Sequence, residues 1–211
     1  MKLFVFDTET TGLPEERYAT IYQKEKWPYI VQLSYIIFNT ETYEIEEHYN
    51  QYINIGENVK LDEEAVKIHG LTRDFLMKYG IKIEDALQQM SKDINKCDLV
   101  VGHNVIFDKN VVLVESIRND IPVRFKKEYC TMKNGKDICK IEKINAKGEK
   151  YFKYPKLIEL VKECCKEEPK NLHNSFVDIL LCLQCYCKMV LDIDIKEKSE
   201  SFKLLYEKNC I

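Results

Sequence analysis

The chain opens with uninterrupted runs of apolar residues and continues with segments in which apolar residues recur every three or four positions. Uninterrupted runs are typical of buried strands, and the longer spacing is typical of helices that cover one face of a sheet. The apolar runs predict strands over residues 2–7, 29–39 and 98–102, and residues 44–53 are predicted to form a further strand after a turn at residues 39–41. The recurring spacing predicts helices over residues 61–72, 83–96, 107–117, 155–165 and 174–190.

Strands come first in this order and then alternate with helices. Such an order predicts one α/β domain with a mixed central sheet flanked by helices. No change of composition marks a linker, so we expect this domain to cover residues 1–195. Residues 196–211 are charged and are predicted to form a tail or a short peripheral helix.

Composition narrows the class of protein. The 211 residues are 45% hydrophobic and 32% charged, which is typical of globular proteins. No apolar run reaches the roughly 18 residues of a membrane span, and polar residues 7–11 interrupt any amino-terminal signal peptide. The nine cysteines show no framework-like spacing and are expected to be reduced, which predicts a cytoplasmic or nuclear location without membrane partners.

A local excess of positive charge interrupts a chain whose net charge is -3. Residues 124–156 contain 11 Lys or Arg and 4 Asp or Glu. Such a segment is typical of a surface that binds phosphate, here as a hairpin with a turn near Gly148. The alternative is a solvated, partly flexible loop.

Two acids, Asp7 and Glu9, follow the first apolar run at a spacing of two. Side chains two apart on a strand share a face, and the carboxyl ends of strands in α/β sheets commonly hold ligands. Two carboxylates this close need a cation, and oxygen ligands favour Mg²⁺ or Mn²⁺ over zinc. A solvated strand end is the alternative.

Further candidates stand in two later segments. In "GHNVIFD" a strand ends in a turn containing His103 and Asn104, and Asp108 follows early in a helix, where an acid can also simply oppose the helix dipole. In "HNSFVD" the lone acid Asp178 lies in an apolar helix. If Asn174 caps that helix, His173 lies in the preceding loop and can turn toward Asp178.

Together, "FDTETTGLP", "GHNVIFD" and "HNSFVD" resemble the motifs of the DEDDh (DnaQ-like) 3′→5′ exonuclease family over about residues 2–190. The resemblance implies a ribonuclease-H-like fold with antiparallel early strands and parallel later ones. The related DEDDy branch has tyrosine where this chain has Asn174. Ser175 and Ile179 depart from the small residues that are usual in the family.

The resemblance implies a two-metal mechanism that releases nucleoside 5′-monophosphates. Mg²⁺ or Mn²⁺ ions would be bound by four acids, and His173 would accept the proton of the attacking water. The implied metal ligands are Asp7, Glu9, Asp108 and Asp178. Substrate contacts are expected from Thr10, Leu13, His103, Asn104 and Phe107. Core packing is the alternative role for Leu13 and Phe107.

The expected partner is the 3′ end of a nucleic acid. Single-stranded DNA is favoured over RNA, and a role in proofreading or repair would require a polymerase in trans. An exoribonuclease and a non-catalytic module that binds nucleic acid or a polymerase are the alternatives. Three cysteines of the last predicted helix, with two from the preceding one, could instead form a zinc site: Cys182, Cys185, Cys187, Cys164 and Cys165.

Overall fold

A five-stranded sheet in the order β3-β2-β1-β4-β5 forms the centre of the computed structural model, which describes residues 1–169 and 173–210. Its strands are β1 (Lys2–Thr10), β2 (Ile30–Asn39), β3 (Glu44–Tyr52), β4 (Leu99–Gly102) and β5 (Lys127–Cys130). A separate two-stranded hairpin consists of β6 (Glu142–Ile144) and β7 (Lys150–Phe152).

Helices cover both faces of the sheet. In chain order, the helices before the hairpin are α1 (Glu63–His69), α2 (Arg73–Tyr79), α3 (Ile83–Ile94), α4 (Val105–Asn119) and α5 (Thr131–Cys139). The helices after the hairpin are α6 (Leu157–Cys165), α7 (Ser175–Tyr186), α8 (Ile195–Lys198) and α9 (Glu200–Cys210). A π-helical turn, Cys187–Leu191, continues α7.

Strand directions confirm the predicted mixed sheet. β1 and β2 are antiparallel, as are β2 and β3, whereas β1–β4 and β4–β5 are parallel. Val5 of β1 lies level with Val101 of β4. The carboxyl ends of these two strands, which carry the first two predicted motifs, therefore meet at one edge of the sheet.

Alternation along β1 builds a core on each face of the sheet. Leu3 and Val5 are fully buried in a cluster with α6, α7 and α9. Phe4 and Phe6 are buried in a second cluster with α3 and α4. Truncation of one such aromatic side chain to alanine costs about 3–5 kcal/mol of folding free energy. The same alternation directs Asp7 and Glu9 toward the α7 face and Thr8 toward the α4 face.

The predicted helices and strands are present, with shifts at their ends. Asp62 caps α1 by accepting a hydrogen bond from the Glu64 N–H, and Gly70 ends the helix at φ 76°. β5, α2 and α5 were not predicted, because each is short, with four, seven and nine residues respectively. Residues 127–139 and the β6–β7 hairpin have regular structure, so most of residues 124–156 do not form a loop, whereas the strands of the hairpin are exposed to solvent as that interpretation expected.

The segment after residue 195 packs onto the domain. Phe202, Tyr206 and Cys210 of α9 are buried in the cluster that contains α7. The division of the chain at residue 195 stays a prediction, and residue 211 lies outside the described residues. Across residues 1–169 and 173–210, each helix is too short or too polar to cross a membrane.

Candidate active site

The start of α7 is attached to β2 directly beside the two acids of β1. Ser34 and Gln32 of β2 pair in register with Asp7 and Glu9. The Ser175 and Ser34 hydroxyl oxygens are 2.7 Å apart, so the unusual Ser175 has a buried partner. Gln32 binds α7 as well, because its Oε1 accepts a hydrogen bond from the Ser175 N–H at 3.3 Å. These contacts direct the first turn of α7 toward the acids.

Three of the predicted acids converge at this edge. One carboxylate oxygen from each of Asp7, Glu9 and Asp178 lies within 4.8 Å of the others. Asp178 Oδ1 is buried and has no hydrogen-bond partner among the described residues. A buried oxygen without a partner is costly unless a cation or water binds it. The donor set consists only of oxygen atoms, which fits Mg²⁺ or Mn²⁺.

The fourth acid, Asp108, reaches the same edge from the opposite face of the sheet. It is buried at the start of α4, and its Oδ1 accepts hydrogen bonds from the Thr8 hydroxyl at 2.7 Å and the Thr8 N–H at 3.1 Å. Thr8 stands between Asp7 and Glu9 and points to the α4 face. Asp108 is therefore held next to the group of three without being one of its members.

Burial and mutual repulsion make these carboxyl groups weak acids. Burial, followed by the charges of Asp108, Asp178 and Glu9, raises the pKa of Asp7 well above its usual range. Burial and the charges of Asp178 and Asp108 raise the pKa of Glu9 to about 8. Burial raises the pKa of Asp108 to about 7, against the opposing effect of its Thr8 hydrogen bonds. The site thus concentrates negative charge that a divalent cation would neutralise.

Asp178 shares this electrostatic environment. Burial is the largest cause that raises its pKa to about 7, and the Asp108 charge adds to it. A hydrogen bond from the His173 backbone N–H acts in the opposite direction. This bond also places the histidine immediately beside the acids.

His173 lies in the loop before α7, as predicted. Asn174 is the N-cap of this helix, and its Oδ1 accepts a hydrogen bond from the Phe176 N–H at 3.0 Å. The backbone of His173 has φ 66°, and its side chain is exposed. The imidazole therefore reaches solvent at the edge of the carboxylate group.

A pocket of about 380 Å³ adjoins the acids and contains three of the predicted substrate residues. Glu9, Thr10, Leu13 and Phe107 line it. The Leu13 side chain is 79% exposed, so the alternative of core packing is wrong for this residue. Phe107 is half-buried and contacts the α3–α4 core, while part of its ring faces the pocket. The Thr10 hydroxyl donates to the Gly12 carbonyl at 2.7 Å and fixes the turn beneath.

The remaining two predicted substrate residues do not line this pocket. The ring nitrogens of His103 contact Thr131 Oγ1 at 3.0 Å and the Pro155 carbonyl at 3.1 Å. Burial lowers the pKa of His103 to about 4, so the ring is neutral. Asn104 precedes α4 with φ 66° and makes no side-chain capping bond. His103 thus joins the β4 turn to α5 and to the chain before α6.

The sequence interpretation missed His69 at the end of α1. His69 lines the pocket with Glu9 and Leu13. Its Nδ1 accepts the Leu71 N–H at 3.0 Å, so Nε2 carries the proton of the neutral ring. That Nε2 is buried and makes no hydrogen bond of normal geometry among the described residues, but the Thr10 backbone lies close enough to oppose the lowering of the His69 pKa by burial. The available signal was a histidine directly before the helix-ending Gly70.

The loop after the first motif carries both exposed and buried aromatic residues. Tyr18 and Tyr22 are exposed, whereas Trp27 is buried and its Nε1–H donates to the Thr20 carbonyl at 3.0 Å.

Every cysteine is a free thiol. Among the described residues, a group of three side chains close enough to bind one metal ion is formed by Asp7, Glu9 and Asp178. No cysteine belongs to this group.

Solved structures share this fold at low sequence identity. Escherichia coli exonuclease I in complex with a dA16 oligonucleotide is 17% identical, with a TM-score of 0.63 over 98% of this chain and 42% of that chain. Methylocaldum szegediense exonuclease I is 15% identical, with a TM-score of 0.63 over 93% of this chain and 42% of that chain. This chain therefore spans less than half the length of these two proteins.

A third structure matches over nearly its whole length. The nuclease domain of 3′hExo, a DEDDh family member bound to rAMP, is 16% identical, with a TM-score of 0.65 over 92% of this chain and 94% of that domain. These neighbours confirm the predicted ribonuclease-H-like fold. No curated protein matches the chain by sequence. The exonuclease family model named RNase_T matches residues 4–186, and the chain belongs to this family.

Proposed function

We propose that this protein is a divalent-metal-dependent 3′→5′ exonuclease that releases nucleoside 5′-monophosphates. The observation that carries the proposal is the convergence of Asp7, Glu9 and Asp178 to within 4.8 Å, beside buried Asp108, in a chain of the exonuclease family. Four acids with raised pKa values at one sheet edge are unfavourable for folding alone. Such a group is typical of a site selected for function.

The four acids fit two Mg²⁺ or Mn²⁺ ions. Asp178 Oδ1 has no other partner, and Asp7 and Glu9 supply nearby oxygens, so these three would form the principal ligand set. The Asp108 carboxylate, which the Thr8 hydroxyl holds in place, would bind metal from the opposite side of the site. When bound, divalent ions would neutralise the charge of the phosphodiester and assist ionisation of the attacking water.

His173 is proposed to accept the proton of that water. Its ring is exposed at the edge of the carboxylate group, and the bond from its backbone N–H to Asp178 fixes the loop that carries it. An imidazole suits this role because it exchanges protons near neutral pH. The positive φ of 66° holds the side chain outside α7, where it can reach a bound substrate.

The 380 Å³ pocket is proposed to hold the terminal nucleotide. Leu13 and Phe107 would contact the base or sugar faces, and the His69 Nε2–H would donate to an oxygen of the nucleotide. Thr10 shapes the floor through its bond to Gly12. The roles proposed for His103 and Asn104 are indirect, because both lie at the β4 turn that precedes Asp108.

Single-stranded DNA is the favoured substrate and RNA is the alternative. A proofreading or repair role would require a polymerase supplied in trans. The test is a side-by-side digestion of 5′-labelled DNA and RNA strands of identical sequence with Mg²⁺, with Mn²⁺ and with a chelator. We expect a ladder of 3′-shortened products that requires metal and is lost in Asp7→Asn. An Asp7→Asn protein that digests as fast as the wild type would refute the assigned site, and binding without cleavage would indicate a non-catalytic module.

A further inference from the structure

The β6–β7 hairpin is the feature that the proposed active site does not use. All six residues of its two strands are exposed, including the apolar Ile144 (67%) and Tyr151 (49%). A two-stranded hairpin with no covering layer is marginally stable in water. Exposed apolar side chains on such an element indicate a surface that binds a partner.

The charge of the hairpin indicates which partner. Residues 140–156 contain six lysines and two glutamates. The strand register places Lys143 opposite Tyr151 on one face, and Ile144 opposite Lys150 on the other. Tyr154, just after β7, is also exposed, with the Lys136 ammonium 5.4 Å from the centre of its ring. Aromatic faces alternating with lysines fit single-stranded nucleic acid, whose bases stack while its phosphates pair with cations.

The base of the hairpin is attached to the edge of the sheet that carries the acids. The Lys153 N–H donates to the Ile141 carbonyl at 3.0 Å and closes the ladder at the base. Two residues later, the Pro155 carbonyl contacts His103 Nε2 at 3.1 Å. His103 and Asp7 each lie two residues beyond the paired Val101 and Val5, on strands about 5 Å apart. The hairpin therefore rises beside the carboxylates.

We propose that the β6–β7 hairpin binds the single strand on the 5′ side of the bond being cleaved. The hairpin extends about 13 Å from Ile141 to the turn at Asn145, enough to contact more than one nucleotide. Tyr151 and Lys143 share one face of the hairpin and Phe152 and Lys150 share the other, so the strand passes around the edge of the hairpin and contacts both faces. Tyr151 and Phe152 each stack on a base, while Lys143, Lys147 and Lys150 pair with phosphates, and Lys150 exchanges its 3.1 Å ion pair with Glu142 for a phosphate. This inference rests on the proposed nuclease function and adds to it a contact that only substrates longer than the terminal nucleotide can make.

Two hairpin variants and one matched control test the proposal. The basic variant is Lys143→Gln/Lys147→Gln/Lys150→Gln, and the aromatic variant is Tyr151→Ser/Phe152→Ser. The control, Lys82→Gln/Lys92→Gln, removes exposed lysines next to and within α3 on the other face of the sheet. The basic variant leaves the apolar side chains of the hairpin intact, so it remains informative if the aromatic variant alters the hairpin itself.

Binding of a labelled oligothymidylate of about 20 nucleotides is measured in a chelator by fluorescence anisotropy. We expect each hairpin variant to bind about tenfold more weakly, and the control to bind within about twofold of the wild type. The salt dependence of the basic variant should be shallower by about 2 in log–log slope, because three phosphate contacts are lost. Hairpin variants that bind like the control would overturn the proposal and indicate a protein partner for this surface.

Hydrolysis of the p-nitrophenyl ester of thymidine 5′-monophosphate separates this inference from the proposed function. The ester is too small to reach the hairpin, so the hairpin variants should hydrolyse it at wild-type kcat/KM and lose about tenfold on the oligonucleotide. Equal losses on both substrates would overturn the hairpin proposal. A wild-type protein that binds the oligonucleotide but never hydrolyses the ester with Mg²⁺ or Mn²⁺ would instead contradict the nuclease function.

Discussion

The energetic cost of the clustered carboxylates gives a prediction that can be tested without substrate. Asp178→Asn removes one negative charge from the group. The variant amide can keep accepting the His173 backbone N–H, and its NH₂ can turn to donate to Asp7 or Glu9, which each have a carboxylate oxygen within 4.8 Å. We therefore expect this substitution at the proposed active site to stabilise the metal-free protein.

The magnitude follows from the pKa of Asp178. Burial raises it from 3.8 to about 7. One pKa unit corresponds to about 1.4 kcal/mol, so keeping this group ionised costs the folded, metal-free protein about 4 kcal/mol, which solvent screening reduces to about 2–3 kcal/mol. For a chain of this length, that corresponds to an increase in Tm of about 5–10 °C.

The pH dependence has a defined sign. The folded pKa lies above the unfolded one, so the folded state binds the proton more tightly, and the cost accumulates as pH rises from about 4 to about 7 and is complete above about 7. The stabilisation by Asp178→Asn should therefore be largest near about pH 8 and vanish near about pH 4. Tm is measured by calorimetry in a chelator across this range. A variant less stable than the wild type at about pH 8, or a difference independent of pH, would refute the reasoning.

Three further substitutions test other parts of the site. His173→Ala should reduce kcat by about 10²–10⁴-fold and preserve the metal-induced increase in Tm, because the exposed ring moves a proton without binding metal; a loss of that increase would contradict the role. Thr8→Val should lower the free energy of unfolding by about 1–2 kcal/mol and reduce kcat, since Asp108 loses its hydroxyl donor; unchanged kinetics would show that this bond is dispensable. Leu13→Ala should raise KM with Tm nearly unchanged, because the side chain is 79% exposed; a large drop in Tm would indicate a packing role instead.

Much of the carboxylate site was predictable because it depends on local patterns. The period of two along β1 places Asp7 and Glu9 on one face, and the apolar run before them identifies the strand. The capping residue Asn174 separates His173 from its helix, as the structure confirms. The order of the three motifs along the chain then identified Asp108 and Asp178. No single segment could show that these acids lie close to Asp7 and Glu9.

Contacts across the sheet were not predictable. Thr8 binds Asp108, 100 residues away, because the fold brings α4 onto the face opposite α7. His103 looked like a substrate residue, but its partners Thr131 and Pro155 are 28 and 52 residues away. β5 escaped prediction because it is a short edge strand whose first two residues are exposed and charged.

Cleavage in water enriched in the heavy isotope of oxygen tests the central claim most directly. The substrate is a single-stranded oligonucleotide with Mg²⁺ or Mn²⁺, and the products are identified by mass spectrometry. The account predicts nucleoside 5′-monophosphates, released in order from the 3′ end, each carrying one heavy oxygen on its phosphate. Nucleoside 3′-phosphates, internal cleavage, or equal cleavage by the Asp7→Asn protein would contradict it.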